Sequence, residues 1–283
     1  MSDAKAELPG FEEGFADALG CRLRYFVAGE GEPLLLVHGL GGAGANWLAL
    51  APLLLDGRRV LVPELPGHGG SAPLPAAPSL NGFADRIARL AERELGPTAV
   101  VGHSLGGAIS LRMAIRRPEL VRALVLAGAA GISSRNRRAR YALTVTGLVK
   151  PGRRIAPYRA AVARSAALKT LVFGRWGASD PPALSDEMAR AFLSGPERHT
   201  DTLSASQALM RDDPRPDLDR VRCPALVLWG ARDHQLPVGD AFEYARRLRA
   251  PLRVIADCGH LLIGERPDAC ADAIRSFLPR NSV

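Results

Sequence analysis

Gly102-His103-Ser104-Leu105-Gly106 follows the apolar run Thr98-Ala99-Val100-Val101 and precedes Gly107 to Ile115, whose apolar residues recur at helical spacing. A G-x-S-x-G between a strand and a helix reads as a sharp turn. It holds the serine in a strained backbone conformation, and the flanking glycines are there because nothing larger fits. The hydroxyl then stands at the end of the sheet with a helix N-terminus behind it. That end of a helix favours the negative charge that develops in acyl transfer.

Three further apolar runs end in residues with matching chemistry. Leu34 to Val37 leads into His38-Gly39-Leu40-Gly41-Gly42, Ala225 to Trp229 into Gly230-Ala231-Arg232-Asp233, and Leu252 to Ile255 into Cys258-Gly259-His260. Serine, acid and histidine thus come in the order Ser104, Asp233, His260. Each lies past the C-terminal end of a predicted strand, the edge where open parallel sheets build active sites.

Over nearly its whole length the chain resembles the α/β-hydrolase superfamily. His38-Gly39 is similar to that family's oxyanion loop, and Glu64-Leu65-Pro66-Gly67-His68-Gly69-Gly70-Ser71 to its D-x-P-G-x-G-x-S turn, with Glu64 where the family has aspartate. The resemblance implies an α/β fold: a doubly wound, mostly parallel eight-stranded sheet with a helical cap after the sixth strand. It also implies Ser104 as nucleophile, His260 as base, Asp233 as orienting acid, and the backbone N–H groups of Leu40 and Leu105 as the oxyanion hole. The family's second place for the acid, after the sixth strand, is Leu126-Ala127-Gly128-Ala129-Ala130-Gly131 here and holds no carboxylate.

The residues suit the chemistry. A serine hydroxyl is a poor nucleophile at neutral pH and needs a base within hydrogen-bond reach. An imidazole has an ordinary pKa of about 6.5 and supplies that base. A carboxylate on its other nitrogen fixes the tautomer and stabilises the imidazolium. Two fixed N–H groups stabilise the oxyanion, and removing one typically costs on the order of 10²–10³ in turnover. A serine at the elbow excludes haloalkane dehalogenases and epoxide hydrolases, which need a carboxylate there, and dienelactone hydrolases, which need a thiol. Hydrolysis of esters, thioesters, lactones and carbon–carbon bonds stays open, as does peracid formation. The leading expectation is a carboxylic ester hydrolase for small to medium acyl chains. The alternatives are a carbon–carbon bond hydrolase of vinylogous diketones, a thioesterase or methyl esterase for carrier-bound acyl groups, and a non-catalytic ligand receptor on the same fold.

Strand and helix patterns alternate to about residue 131: strands at 33–37, 59–63, 98–102 and 122–127, helices at 46–55, 82–95 and 105–116, preceded by an antiparallel pair around Gly20. From 132 to 215 the pattern is helical, punctuated by Pro151-Gly152 and Pro181-Pro182, and alternation resumes near Ala225. The predicted domains are therefore a core of 1–131 and 216–283 and a cap of 132–215. Ala156 to Phe173 reads as one basic, amphipathic cap helix. Gly39, Trp47, His103, Phe173, Trp176, Phe192 and Leu261 are pocket candidates by position. The other histidines have structural readings: His38 in the oxyanion loop, His68 in a turn, His199 in the cap, and His234 beside Asp233. Asp257 and Glu265 flank His260 but adjacent side chains diverge, so neither is expected to orient it.

Composition bounds the rest. The chain has 283 residues, 47% of them hydrophobic, enough for one large domain with an insertion. No apolar run approaches the ~18–20 residues of a membrane span, and Met1 to Glu7 lacks the apolar core of a secretory signal, so a cytoplasmic location is expected. Cys21, Cys223, Cys258 and Cys270 show no C-x-x-C spacing; neither metal nor organic cofactor is expected, and packing is their reading. The net charge of +8 is concentrated: Arg135 to Arg175 holds eleven Lys or Arg and no Asp or Glu. Without a reading motif this does not suggest nucleic acid. A solvated face, or contact with an acidic partner, a carboxylated substrate or an anionic surface, accounts for it. The partner expected is a small-molecule ester.

Overall fold

Residues of β5 (Thr98–His103) and β7 (Ala225–Gly230) are buried along their whole length, as befits strands covered on both faces by helices. The computed structural model describes residues 8–136, 141, 143–145, 148–174, 177–199 and 201–278. The other strands are β1 (Glu12–Asp17), β2 (Arg22–Ala28), β3 (Glu32–Val37), β4 (Arg58–Pro63), β6 (Val121–Ala127) and β8 (Leu252–Ile255). They form one eight-stranded sheet in the order β1-β2-β4-β3-β5-β6-β7-β8. β2 runs antiparallel to β1 and β4, and the remaining pairs are parallel. Leu19 and Gly20, at φ 57° and 73°, make the two-residue turn that closes the β1–β2 hairpin.

Alternate residues of each strand enter separate cores. Leu35 and Val37 pack with α1 (Leu80–Glu94), α2 (Leu105–Arg116) and Tyr244 of the helix Val238–Leu248. Leu34 and Leu36 pack on the opposite face with Trp47, Leu54 and the helix Pro267–Phe277. β3 hydrogen-bonds to β4 on one side and β5 on the other. The strand order reverses there, and a crevice opens at the carboxyl ends beside Ser104.

Two predicted helices differ in the structure. Residues 46–55 form two short 3-10 turns, Gly44–Trp47 and Ala51–Leu54, because Pro52 has no N–H with which to continue a helix. The stretch 156–173 is two α-helices, Arg159–Arg164 and Ala166–Phe173. They are broken at Ser165, which is extended and caps the second by accepting from the Leu168 N–H. Between β6 and β7 no strand occurs among the described residues. Helices Pro151–Ile155, Asp186–Ser194 and Thr202–Arg211 complete that segment.

The segment is tied to the core at defined points. The Asp201 N–H donates to the Gly67 carbonyl at 3.0 Å, and His199 Nε2 donates to the Gly42 carbonyl at 3.1 Å. At its return, Arg112 of α2 forms a bidentate pair with Asp212 at 2.9 and 3.0 Å and reaches Asp217 and the Asp213 carbonyl.

Candidate active site

Ser104 sits between β5 and α2 at φ 54° and ψ −119°, a strained conformation for a residue with a side chain. A Cβ at Gly102 would overlap the Gly106 carbonyl, and one at Gly106 the carbonyls of Val37 and His38. Both glycines are therefore imposed by backbone packing. The turn is pinned by the Ser104 N–H to the Ala127 carbonyl, and by the Gly107 and Ala130 N–H groups to the Ser104 carbonyl.

His260 lies in the loop after β8. Its Nε2 is 3.0 Å from Ser104 Oγ, and its Nδ1 is 2.8 Å from Asp233 Oδ2. Asp233 Oδ1 accepts the N–H groups of Gln235 and Leu236, both at 2.9 Å. Burial raises the Asp233 pKa, but the His260 contact and these backbone donors outweigh it and hold the group below its ordinary value. Asp233 is thus a carboxylate at neutral pH and directs the Nδ1 proton, leaving Nε2 to face the serine.

Gly39-Leu40-Gly41-Gly42 forms a turn closed by the Gly42 N–H on the Gly39 carbonyl, with Gly41 at φ 71°. A Cβ at Gly39 would press on Ser104 Cβ, so the loop runs directly against the turn that carries Ser104. Among the described residues the N–H groups of Leu40 and Leu105 have no protein acceptor. Both residues line the cavity above Ser104.

His38 fixes this loop. Its Nε2 accepts the Leu65 N–H at 3.0 Å, so its Nδ1 carries the proton and donates to the Gly39 carbonyl at 2.8 Å. Burial depresses its pKa well below the ordinary value. Glu64 is fully buried. It accepts the Gly44 and Gly70 N–H groups, so its carboxylate organises the turn that follows β4.

The cavity measures about 700 Å³, within the size usual for small-molecule sites. Ser104, His260 and Asp233 line it together with Gly39, His103 and Leu261. The inserted segment adds Leu143, Phe192 and Leu209, and two cations, Lys150 and Arg153. His103 donates from Nε2 to the His260 carbonyl at 2.8 Å, and burial lowers its pKa to about 3. Two expected pocket residues lie elsewhere. Trp47 is fully enclosed in the core beneath the 3-10 turns, and Phe173 is fully buried behind Phe192, ring centres 6.2 Å apart. Trp176 lies outside the described residues.

Three contributors are not apparent from the sequence. Glu265 does not touch the His260 ring, yet it accepts the N–H groups of Ser179, Gly259 and Leu261 and so clamps the histidine loop to the inserted segment. The Gly177 carbonyl accepts the His260 N–H at 2.6 Å. His199 anchors the segment to the 39–42 loop. Asp257 points away and pairs with Arg232 at 2.6 Å. Cys258 is buried, and burial pushes its thiol pKa up.

The alpha/beta hydrolase family matches residues 34–273, and the chain belongs to it. Among its relatives, the 2-hydroxymuconate semialdehyde hydrolase of Pseudomonas sp. (strain CF600) is 31% identical over 271 residues, covering 92% of each chain. The pimeloyl-[acyl-carrier protein] methyl ester esterase of Aromatoleum aromaticum (strain DSM 19018 / LMG 30748 / EbN1) is 35% identical over 257 residues, covering 87% of this chain and 97% of that one. The crystal structure of E-2-(acetamidomethylene)succinate hydrolase shares the fold, with a TM-score of 0.76 at 23% identity over 94% of this chain and 98% of that one.

Proposed function

We propose that the protein is a serine hydrolase that cleaves carboxylic esters of small to medium acyl chains through an acyl-enzyme. The observation that carries this reading is the unbroken hydrogen-bonded row Ser104–His260–Asp233 beneath a cavity with apolar walls. Ser104 Oγ attacks the ester carbonyl as His260 Nε2 takes its proton. Asp233 stays ionised and stabilises the imidazolium. The N–H groups of Leu40 and Leu105 receive the oxyanion. His260 returns the proton to the departing alkoxide, and a water activated by the same nitrogen releases the acid. Residues 132–215 serve as a cap, whose side chains Leu143, Phe192 and Leu209 form the acyl side of the cavity.

A second reading draws on Lys150 and Arg153, the cations that line the cavity. They suit a substrate carboxylate, as a ring-cleavage product acted on by a carbon–carbon bond hydrolase would carry. The semialdehyde hydrolase relative supports it. Leu261 after the histidine, where that group often has an aromatic residue, weighs for the ester.

A p-nitrophenyl ester panel from acetate to laurate tests the choice. Wild type should show a chain-length optimum, and Ser104→Ala should lose at least about 10⁴-fold in kcat/KM. Equal inactivity of both on every ester would remove the ester reading. Equal activity would remove Ser104 as the nucleophile.

A further inference from the structure

The inserted segment exposes apolar side chains on its outer surface. Described residues within 141–149 are helical. Tyr141, Val145 and Leu148 stand at positions i, i+4 and i+7, a spacing that shares one face in helical backbone. They are 74%, 38% and 67% exposed, and Val149 beside them is 41% exposed. Leu143, about half a turn away, lines the cavity instead. Among the described residues of this stretch, Leu143 alone borders the cavity, and Tyr141, Val145, Leu148 and Val149 are exposed.

The chain continues directly into Lys150, Arg153 and Arg154, then Tyr158, which is 68% exposed. Arg153 and Arg154 both face solvent. Lys150 to Arg153 also border the cavity, so cations and exposed apolar groups meet at its rim. From Ile132 to Ser179 the sequence has no Asp or Glu to neutralise them.

We propose that this outer face docks on an anionic lipid membrane. Leu148, Val149 and the two tyrosines enter the headgroup layer, while Lys150, Arg153 and Arg154 contact lipid phosphates. Exposed leucine and tyrosine with cations next to them in the chain match an interfacial site. A second copy of the chain is a poor occupant, because two faces of like charge would meet. The membrane lies at the cavity rim. On the ester reading above, it holds an acyl ester where Ser104 can receive it; the docking itself does not depend on that reading.

Vesicle sedimentation of the full chain tests the proposal. The protein should sediment with phosphatidylcholine vesicles containing phosphatidylglycerol, not with phosphatidylcholine alone, and added salt should release it. Arg154→Glu and the pair Leu148→Ser/Val149→Ser should each weaken binding on the order of ten-fold or more. None of these residues lines the cavity, so hydrolysis of soluble p-nitrophenyl acetate should not change, which also reports correct folding. Four results would overturn docking. These are no sedimentation with either vesicle, binding that survives the apolar substitutions, capture by soluble polyglutamate without vesicle binding, and a dimer in sedimentation velocity that Leu148→Ser dissolves. If vesicles bind but no ester is cleaved, only the ester reading fails. If esters are cleaved without vesicle binding, only docking fails.

Discussion

Ser104 keeps φ 54° and ψ −119° because its N–H and carbonyl are held by Ala127, Gly107 and Ala130. Such a conformation costs about 1–3 kcal/mol in a residue with a Cβ. Ser104→Gly should therefore abolish activity and yet stabilise the fold by about 1 kcal/mol, the relieved strain exceeding the added freedom of the unfolded chain. Ser104→Ala keeps the Cβ and should leave stability near wild type. Urea titration of the three proteins checks both. A glycine variant less stable than the alanine variant would mean that the elbow is unstrained. The two flanking glycines, the serine and the order of acid and histidine are legible in sequence because each answers a local demand of backbone or chemistry. Glu265 is not: beside its local contacts with Gly259 and Leu261, its bond from the Ser179 N–H exists only once the loop from 177 to 179 is folded against it.

At the scale of elements, α2 carries more than the serine. Arg112, eight residues along it, binds Asp212 and Asp217 on the chain returning from the inserted segment. Removing the guanidinium leaves the mostly buried Asp212 carboxylate without this cation, while Asp217 keeps Arg220, and breaking a buried pair costs about 3–5 kcal/mol. Arg112→Ala should lose that much in urea unfolding, and a loss below about 1 kcal/mol would show the pair to be solvated. Alternating apolar runs reveal the strands and crossover helices because periodicity is local. The breaks at Pro52 and Ser165 are less visible, since 3-10 turns and two short helices carry nearly the same apolar spacing as one long helix.

For the whole molecule, the histidines make stability depend on pH. His38, His68 and His103 are fully buried, and burial depresses each below the ordinary 6.5, His68 to about 4 and His103 to about 3. The folded protein keeps these rings neutral while the unfolded chain protonates them, so the unfolded state binds more protons below pH 6.5. Stability is full above that value and falls as pH drops toward the folded pKa values. At pH 5.5 His68 and His103 each cost about 1.4 kcal/mol, and His38 acts in the same direction. Urea midpoints should decline steeply from pH 7 to 5. His68→Gln keeps a donor for the Pro66 carbonyl and should flatten the slope by about 1.4 kcal/mol per pH unit. An unchanged slope would mean that His68 titrates alike in both states.

By itself the sequence determined the sheet, the inserted helical segment and the trio Ser104, Asp233 and His260, because periodicity, turn glycines and strand-end chemistry are written in neighbouring residues. Tertiary structure decided what surrounds them. Trp47 and Phe173 went into the core while Phe192 reached the cavity, for an apolar side chain reads alike in either place. His199, Gly177 and Glu265 acquired their roles by contacts that only folding brings together, such as His199 with Gly42, 157 positions away. The cavity exists because the segment between β6 and β7 closes over the sheet end, and that depends on packing across the whole chain.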